Sequence, residues 1–485
     1  MGKKVTDKII FENITVLDAG AKGVSVAKAP EGQVIFIPNV VPGDVVDVQT
    51  LKKRKSYFEG KAIKFHEYST DRIEPVCEHF GACGGCKWQN MNYNKQLFYK
   101  NQEVYNNLKR IGKIELPDFE PILGSTKQFF YRNKMEFGFS DTKWRTESEM
   151  KSLNDTDINV GAIEKNSNVG TTQNALGFHI PRMWDKILDI EKCHLQEDPS
   201  NAIRNAIKEF ATQKGMTFFN ARNHEGLLRT LMIRTASTGE TMVLIQFFQE
   251  EKANRELLLD FIFEKFPQIT SLQYVINSKA NDTLYDQDIK LYKGRDYILE
   301  EMEGLHFSIN AKSFYQTNSD QAYELYKITR EFAGLTGNEV VYDLYTGTGT
   351  IAQFVSKQAM KVIGVEAVPE AIFDAKENAK RNAITNCEFY VGDMKNVFND
   401  EFITQHGQPD VIITDPPRDG MHADVVAQIM KIAPEKVVYV SCNSATQARD
   451  LALMDEKYKV TRVRPVDMFP QTHHVENVVL LELRK

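Results

Sequence analysis

The chain has 485 residues, 42% hydrophobic and 26% charged, which predicts about two to four globular domains. A formal net charge of -6 excludes a chain that binds nucleic acid by bulk charge alone, and no apolar run reaches the roughly 18–20 residues of a membrane helix. Six cysteines are too few for a disulfide scaffold of this size, and MGKKVTDKIIFEN has no apolar core of a secretory leader, so a cytoplasmic monomer is expected.

Residues 5–68 read as short alternating strands broken at Gly20, Gly23, Pro30-Glu31-Gly32, Pro38-Asn39 and Pro42-Gly43-Asp44. That spacing predicts a small β-barrel over 1–70. Its densest basic stretch, LKKRKSYFEGKAIK (51–64), encloses Tyr57 and Phe58, a composition that suits either an RNA surface or a solvated strand face. A cysteine-rich knot follows at 75–88. LFYKNQEVYNNLKRIG (97–112) has helical spacing and closes at Ile111-Gly112.

The region 71–310 reads as a mixed α+β central domain, with strand-like runs such as RTLMIRTA (229–236) and TMVLIQFF (241–248). In FFYRNKMEFGF (129–139), Arg132 and Lys134 are candidate RNA contacts, with Phe130 or Tyr131 stacking; burial in the sheet is the alternative reading. The polar, aperiodic segment 141–176 reads as a surface insertion. From 311 to 485 strand-like and helix-like runs alternate, which predicts a parallel, doubly wound sheet. The chain as a whole is therefore expected to be multidomain α/β, with a Rossmann-like sheet in its last third.

Within that sheet, strand ends carry the polar residues. The first ends in Asp343-Leu-Tyr345-Thr-Gly347-Thr-Gly349-Thr350, where glycines let the backbone approach a ligand. The second ends in Glu366, suited to ribose hydroxyls, and the third in Gly392-Asp393, suited to an adenine. The fourth ends in Asp415-Pro-Pro-Arg418-Asp-Gly420, where two prolines stiffen the loop behind the Asp415 carboxylate. A full GxGxxG is absent, because position 352 is Ala.

Taken in order, SFYQTN (313–318), DLYTGTGT (343–350), Glu366, DPPRDG (415–420), SCN (441–443) and HHVENV (473–478) resemble the RNA uracil-5-methyltransferase family, which uses S-adenosylmethionine. The resemblance implies that Gln316, Tyr345, Glu366 and Asp415 contact the cofactor or the target base, and that Phe314 lies near the target uracil. Gly347, Gly349, Thr350 and Asp393 fall in the same cofactor-binding stretch. AKGVSVAK and IPNVVPGDVV in 1–70 are similar to a TRAM domain, an RNA-binding barrel. The ribosomal branch, acting on 23S rRNA, is the expected substrate class, with tRNA second.

Uracil C5 is too weak a nucleophile to take a methyl directly. A thiolate adding to C6 makes the ring an enolate with electron density at C5. Cys442, at the end of VVYVSC, suits that role, and Ser444-Ala-Thr-Gln447 reads as a capping box whose helix N-terminus can depress a thiol pKa. The resemblance assigns the base to Glu476, with His473 and His474 as local rivals.

Cys77, Cys83 and Cys86 sit on a glycine-rich loop, and Cys193 stands far off in IEKCHL. Such a set can enclose a [4Fe-4S] cluster, with four-cysteine zinc as the alternative; the spacing resembles the cluster motif of the same family. Cys387 reads as packing. Two other classes remain open: an amine methyltransferase, which shares the DPP turn, and a redox-sensing RNA-binding protein.

Overall fold

The computed structural model describes residues 9–146, 174–181 and 183–485. Its contacts divide the chain into two units. The first comprises 1–76, 85–128 and 320–485, and the second 77–84 and 129–319.

In the first unit, β1 (Ile10–Ala19), β2 (Ser25–Lys28), β3 (Val34–Ile37), β4 (Val45–Lys53) and β5 (Tyr57–Glu67) close into a barrel in the order β1-β2-β3-β5-β4. Alternate residues point inward, so Ile14, Val16, Ile35, Ile37, Val46, Val48 and Phe58 make its core. Buried Asp44 fixes one end by accepting from Val41 N, Ser69 N and the Arg72 guanidinium. The expected helix runs Tyr93–Asn107, capped by Asn92, and finishes in a π-turn at Leu108–Gly112.

The same unit holds a seven-stranded sheet. Its members are β16 (Val340–Leu344), β17 (Lys361–Glu366), β18 (Cys387–Val391), β19 (Val411–Thr414), β20 (Lys436–Ser441), β21 (Tyr458–Val466) and β22 (Glu476–Leu483), in the order β18-β17-β16-β19-β20-β22-β21. β16 to β20 are mutually parallel, and β22 enters antiparallel between β20 and β21. Strands covered on both faces must be apolar along most of their length, and the runs VVY, VIGV, VII and VVYV satisfy that. The order reverses at β16, so β16 and β19 lead away from a switch point whose crevice opens at their carboxyl ends.

The second unit is built on an eight-stranded sheet: β6 (Lys134–Ser140), β7 (Lys143–Trp144), β8 (Ala175–Ile180), β9 (Met183–Asp189), β10 (Leu228–Thr235), β11 (Thr241–Phe247), β12 (Ile269–Ile276) and β13 (Lys290–Gly294). A hairpin, β14 (Tyr297–Met302) and β15 (Leu305–Asn310), follows. Phe137, Leu231, Ile233, Val243 and Ile245 form one core with Ile203, Ile207, Leu258 and Ile262 of the helices Ser200–Gln213 and Lys252–Lys265. The polar segment expected over 141–176 lies mainly in 147–173, outside the described residues; at its edges, 143–144 and 175–176 belong to strands.

Candidate active site

Six adjacent strands of the first unit bring polar residues to one edge of the seven-stranded sheet. β16 delivers Asp343, which is 1% exposed. Its Oδ2 accepts from Thr346 Oγ1 (2.5 Å) and Ala352 N (3.0 Å), while Oδ1 is buried with no partner. Burial pushes this carboxyl up to about 7. Beyond it the backbone turns through positive φ at Tyr345 (66°), Gly347 (54°) and Gly349 (73°). At Gly349 a Cβ would come within 2.8 Å of Phe389 and 2.9 Å of Ala375, whereas at Gly347 it would meet nothing within 4 Å. Gly347 thus faces open space, and Gly349 is required for packing. Thr350 opens the short helix Thr350–Val355, its hydroxyl 3.3 Å from that of Thr348.

Glu366 ends β17 and clamps this turn. Its Oε2 accepts from Gly347 N (3.2 Å), and its Oε1 from Ala367 N and Val368 N. Oε2, with one donor, keeps a lone pair free for a further donor such as a ribose hydroxyl. Asp393, just past β18, caps the turn that follows by accepting from Lys395 N.

Asp415 follows β19 directly, its N–H 3.4 Å from Leu344 O. Burial first, and the Asp343 carboxylate second, push it up to about 7. Cys442 follows β20, and Glu476 begins β22. Because Ser441 pairs with Asn477 across an antiparallel ladder, one further step sets Cys442 opposite Glu476. Glu476 is 6% exposed, and burial with the Asp415 charge raises it to about 8, opposed by Arg418. The thiol is not depressed by the helix behind it. Burial, then the Glu476 and Asp415 carboxylates, push it up to about 11, against the charge of Arg418. Helix-dipole reasoning missed these carboxylates because they arrive from other strands.

The helix after Cys442 spans Ser444–Met454, but its cap is Asn443, which accepts from Ala445 N (3.1 Å), rather than the Ser444–Gln447 box. Gln447 turns inward to donate to Tyr439 O and Asn477 O, bracing β20 against β22. His473, expected as a rival base, is pushed down to about 3 by burial and the neighbouring His474, Lys100 and Lys87.

A buried network absent from the motif reading holds the approach to Glu476. Lys100 and Asp467 form a fully buried pair at 2.5 Å, with Asp467 also receiving Tyr93 Oη and Phe469 N. Gln96 exchanges side-chain and backbone bonds with Gln471. The segment 467–475 is thereby bolted to the helix Tyr93–Asn107.

Gln316, Phe314 and Arg132 belong to the second unit. Buried Arg234 donates to Asn310 O and Ser313 O, and Asn133 bonds Gln316 O, Thr317 O and Ser319 Oγ. This anchored loop leaves Phe314 70% exposed. Arg132 pairs with Gln196 in a β-bridge, Tyr131 is buried, and Lys134 is paired with Glu136.

In the second unit Cys83 and Cys193 pack against Ile180, Leu188 and Ile190, and Cys77 feels the charge of Cys193. Asn201 grips Cys193 through both its backbone N and O. Buried Arg204 neighbours Cys193, and its Nη1 has no partner. Cys86 lies in the segment assigned to the first unit. Among the described residues, no three His, Cys, Asp or Glu side chains form a group fit for a single metal ion.

A switch-point crevice with a glycine turn, an acid on each of the neighbouring strand ends and a strand-end thiol define a Rossmann-like, S-adenosylmethionine-dependent methyltransferase. The open backbone at Gly347 and the orphaned Asp343 Oδ1 fit such a ligand. A family model described as tRNA (uracil-5-)-methyltransferase matches residues 285–484. An uncharacterized RNA methyltransferase of Bacteroides thetaiotaomicron is 58% identical over 96% of this chain and 100% of its own length. One from Porphyromonas gingivalis is 53% identical over 96% and 98%. The solved structure of Pyrococcus abyssi tRNA (uracil-54, C5)-methyltransferase with S-adenosyl-L-homocysteine matches at a TM-score of 0.73 and 26% identity, covering 96% of this chain and all of that one. The chain belongs to the RNA uracil-5-methyltransferase family.

Proposed function

We propose that this enzyme methylates C5 of a uridine in RNA, with Cys442 as the nucleophile and Glu476 as the base. The observation that carries this reading is the β20–β22 register, which brings a thiol and a raised carboxyl together at the crevice edge. Cys442 loses its proton and bonds to C6, and the ring's electron pair moves to the enolate. S-Adenosylmethionine, when bound, supplies the methyl that C5 takes up. Glu476 then removes the C5 proton, the C5=C6 double bond re-forms, and the Cys442 sulfur departs from C6. A carboxyl held near 8 is matched to this task, since its conjugate base is strong enough to take a carbon-bound proton at neutral pH. Asp415 orients the base between the two.

Gln316, Tyr345, Gly347, Gly349, Thr350, Glu366 and Asp393 are read as the cofactor contacts. Exposed Phe314 is read as a stacking surface for the uracil, with Arg132 on the RNA path. The working division is a barrel over 1–70, a central domain over 71–310 and a catalytic domain over 311–485. The substrate is read as 23S rRNA, on the joint resemblance of barrel, cysteine set and catalytic motifs. A tRNA substrate is the second reading, favoured by the full-length likeness to the archaeal tRNA enzyme.

Cys77, Cys83, Cys86 and Cys193 are read as the ligands of a [4Fe-4S] cluster. Supporting this are the convergence of three of them in one unit and the unpartnered Arg204 Nη1 beside Cys193, a donor suited to an anionic cluster. About four irons and four sulfides per chain are expected after anaerobic purification; stoichiometric zinc would overturn it.

RNA carrying 5-fluorouridine should form a denaturation-resistant adduct, because fluorine cannot leave as a proton does. Adduct in Cys442→Ala would sink the nucleophile. Mapping 5-methyluridine in rRNA and tRNA from cells with and without the gene separates the two substrates.

A further inference from the structure

A thiol surrounded by two carboxyls and burial is a poor nucleophile unless something offsets them. Arg418 is a cation whose charge opposes burial at both the thiol and Glu476. Its backbone is fixed to the residue that follows Cys442, Asn443 Nδ2 donating to Arg418 O at 2.9 Å, and its charge acts on Cys442, Glu476 and His473.

Its position is built rather than incidental. The Arg418 carbonyl accepts from Asn443 Nδ2 (2.9 Å) and Thr446 Oγ1 (3.0 Å), the first and fourth residues after the thiol. Arg449 donates to Asp419 O (2.9 Å) and Met421 O (3.2 Å), and Asp450 Oδ2 accepts from Met421 N (2.8 Å). Gly420, at φ 78°, lies where a Cβ would come within 2.6 Å of Asp450 Oδ2. The loop 418–421 is therefore clamped to the helix that begins two residues after Cys442.

We infer that Arg418 is the activating partner of the nucleophile: its guanidinium stabilises the Cys442 thiolate before attack on the base. This rests on reading Cys442 as the nucleophile. The proton lost from the thiol goes to solvent, and the cation remains to face Glu476 once the sulfur is bound to carbon and uncharged. Nothing in the DPP motif required this, since its aspartate is the residue that orients a substrate.

The test needs neither RNA nor cofactor. Iodoacetamide alkylation of Cys442 in the full-length enzyme, read by mass spectrometry of its peptide across pH 7–10, reports thiolate alone; the reaction forms an S–C bond and releases iodide. Loss of a facing cation raises a thiol by about one pH unit or more, and the higher intrinsic nucleophilicity of the more basic thiolate returns about threefold. Arg418→Gln should therefore slow alkylation at pH 8 by about three- to fourfold, with Arg418→Lys in between. Thermal unfolding of both variants should match the parent. An unchanged or faster rate in Arg418→Gln overturns the inference, since a purely structural role would leave the pH profile alone or loosen the site. Failure of the parent enzyme to form the fluorouridine adduct would sink the nucleophile reading and leave the alkylation result standing, so the two failures are separable.

Discussion

Glu476 is expected to cost the fold stability in a pH-dependent way, and its removal should return it. The carboxyl is held at about 8 against an ordinary 4.5, chiefly by burial. Above pH 4.5 the unfolded chain gives up this proton while the folded one keeps it. Unfolding is thereby favoured increasingly until the folded group also ionises near pH 8. Each pH unit is worth about 1.4 kcal/mol, so the gap amounts to about 5 kcal/mol above pH 8 and about 4 kcal/mol at pH 7.4. Glu476→Gln keeps the shape and removes the titration. It should match the parent below pH 4.5 and exceed it by up to about 5 kcal/mol at pH 8.5. Urea unfolding can be followed at buried Trp88 after Trp144→Phe and Trp184→Phe, because these are the three tryptophans of the chain. A difference between variant and parent that is the same at pH 5 and pH 8.5 would refute the reasoning. The same variant should accumulate RNA adduct, trading release for stability.

Four further outcomes are expected. Release of methylated RNA should rise about eightfold from pH 6.5 to 7.5, reach half its maximum near pH 8 and level at about pH 9, as Glu476 ionises; a flat profile in single-turnover assays argues for another base. Lys100→Met strands the buried Asp467 carboxylate and should cost about 3–5 kcal/mol in urea unfolding, with Asp467→Asn added in the same chain recovering much of it. Gly349→Ala combines a strained φ with contact on Phe389 and should weaken S-adenosylhomocysteine binding by calorimetry about tenfold or more. Arg204→Lys removes the fork beside Cys193 and should lower the iron content of anaerobically purified protein while far-UV circular dichroism stays unchanged.

Legibility in the sequence followed range. The barrel and the parallel strands could be read because alternation and continuous apolar runs are local signals, and β10, β11 and β16 to β22 lie where those runs occur. Asp343, Glu366, Asp415 and Cys442 could be read because strand ends at a switch point fall at one edge. The cap at Asn443 was missed because Ser444–Gln447 also satisfies a capping pattern, and only the inward turn of Gln447 decides between them. The electrostatics of the thiol were misjudged for a related reason: Glu476 lies 34 residues away in sequence yet one ladder step away in space. Lys100–Asp467, Arg234 and the Arg418 clamp join residues whose pairing no local pattern encodes.

β22 is inserted between β20 and β21 rather than added at an edge. Its seating thus completes both the sheet and the proposed catalytic pair. A slip of one residue in that ladder would turn Glu476 to the opposite face and replace it at the crevice with Val475 or Asn477. With that strand out of register, the proposed cofactor turn and thiol would stand without their proposed proton acceptor. On the proposed mechanism, chemical competence therefore depends on a single strand register.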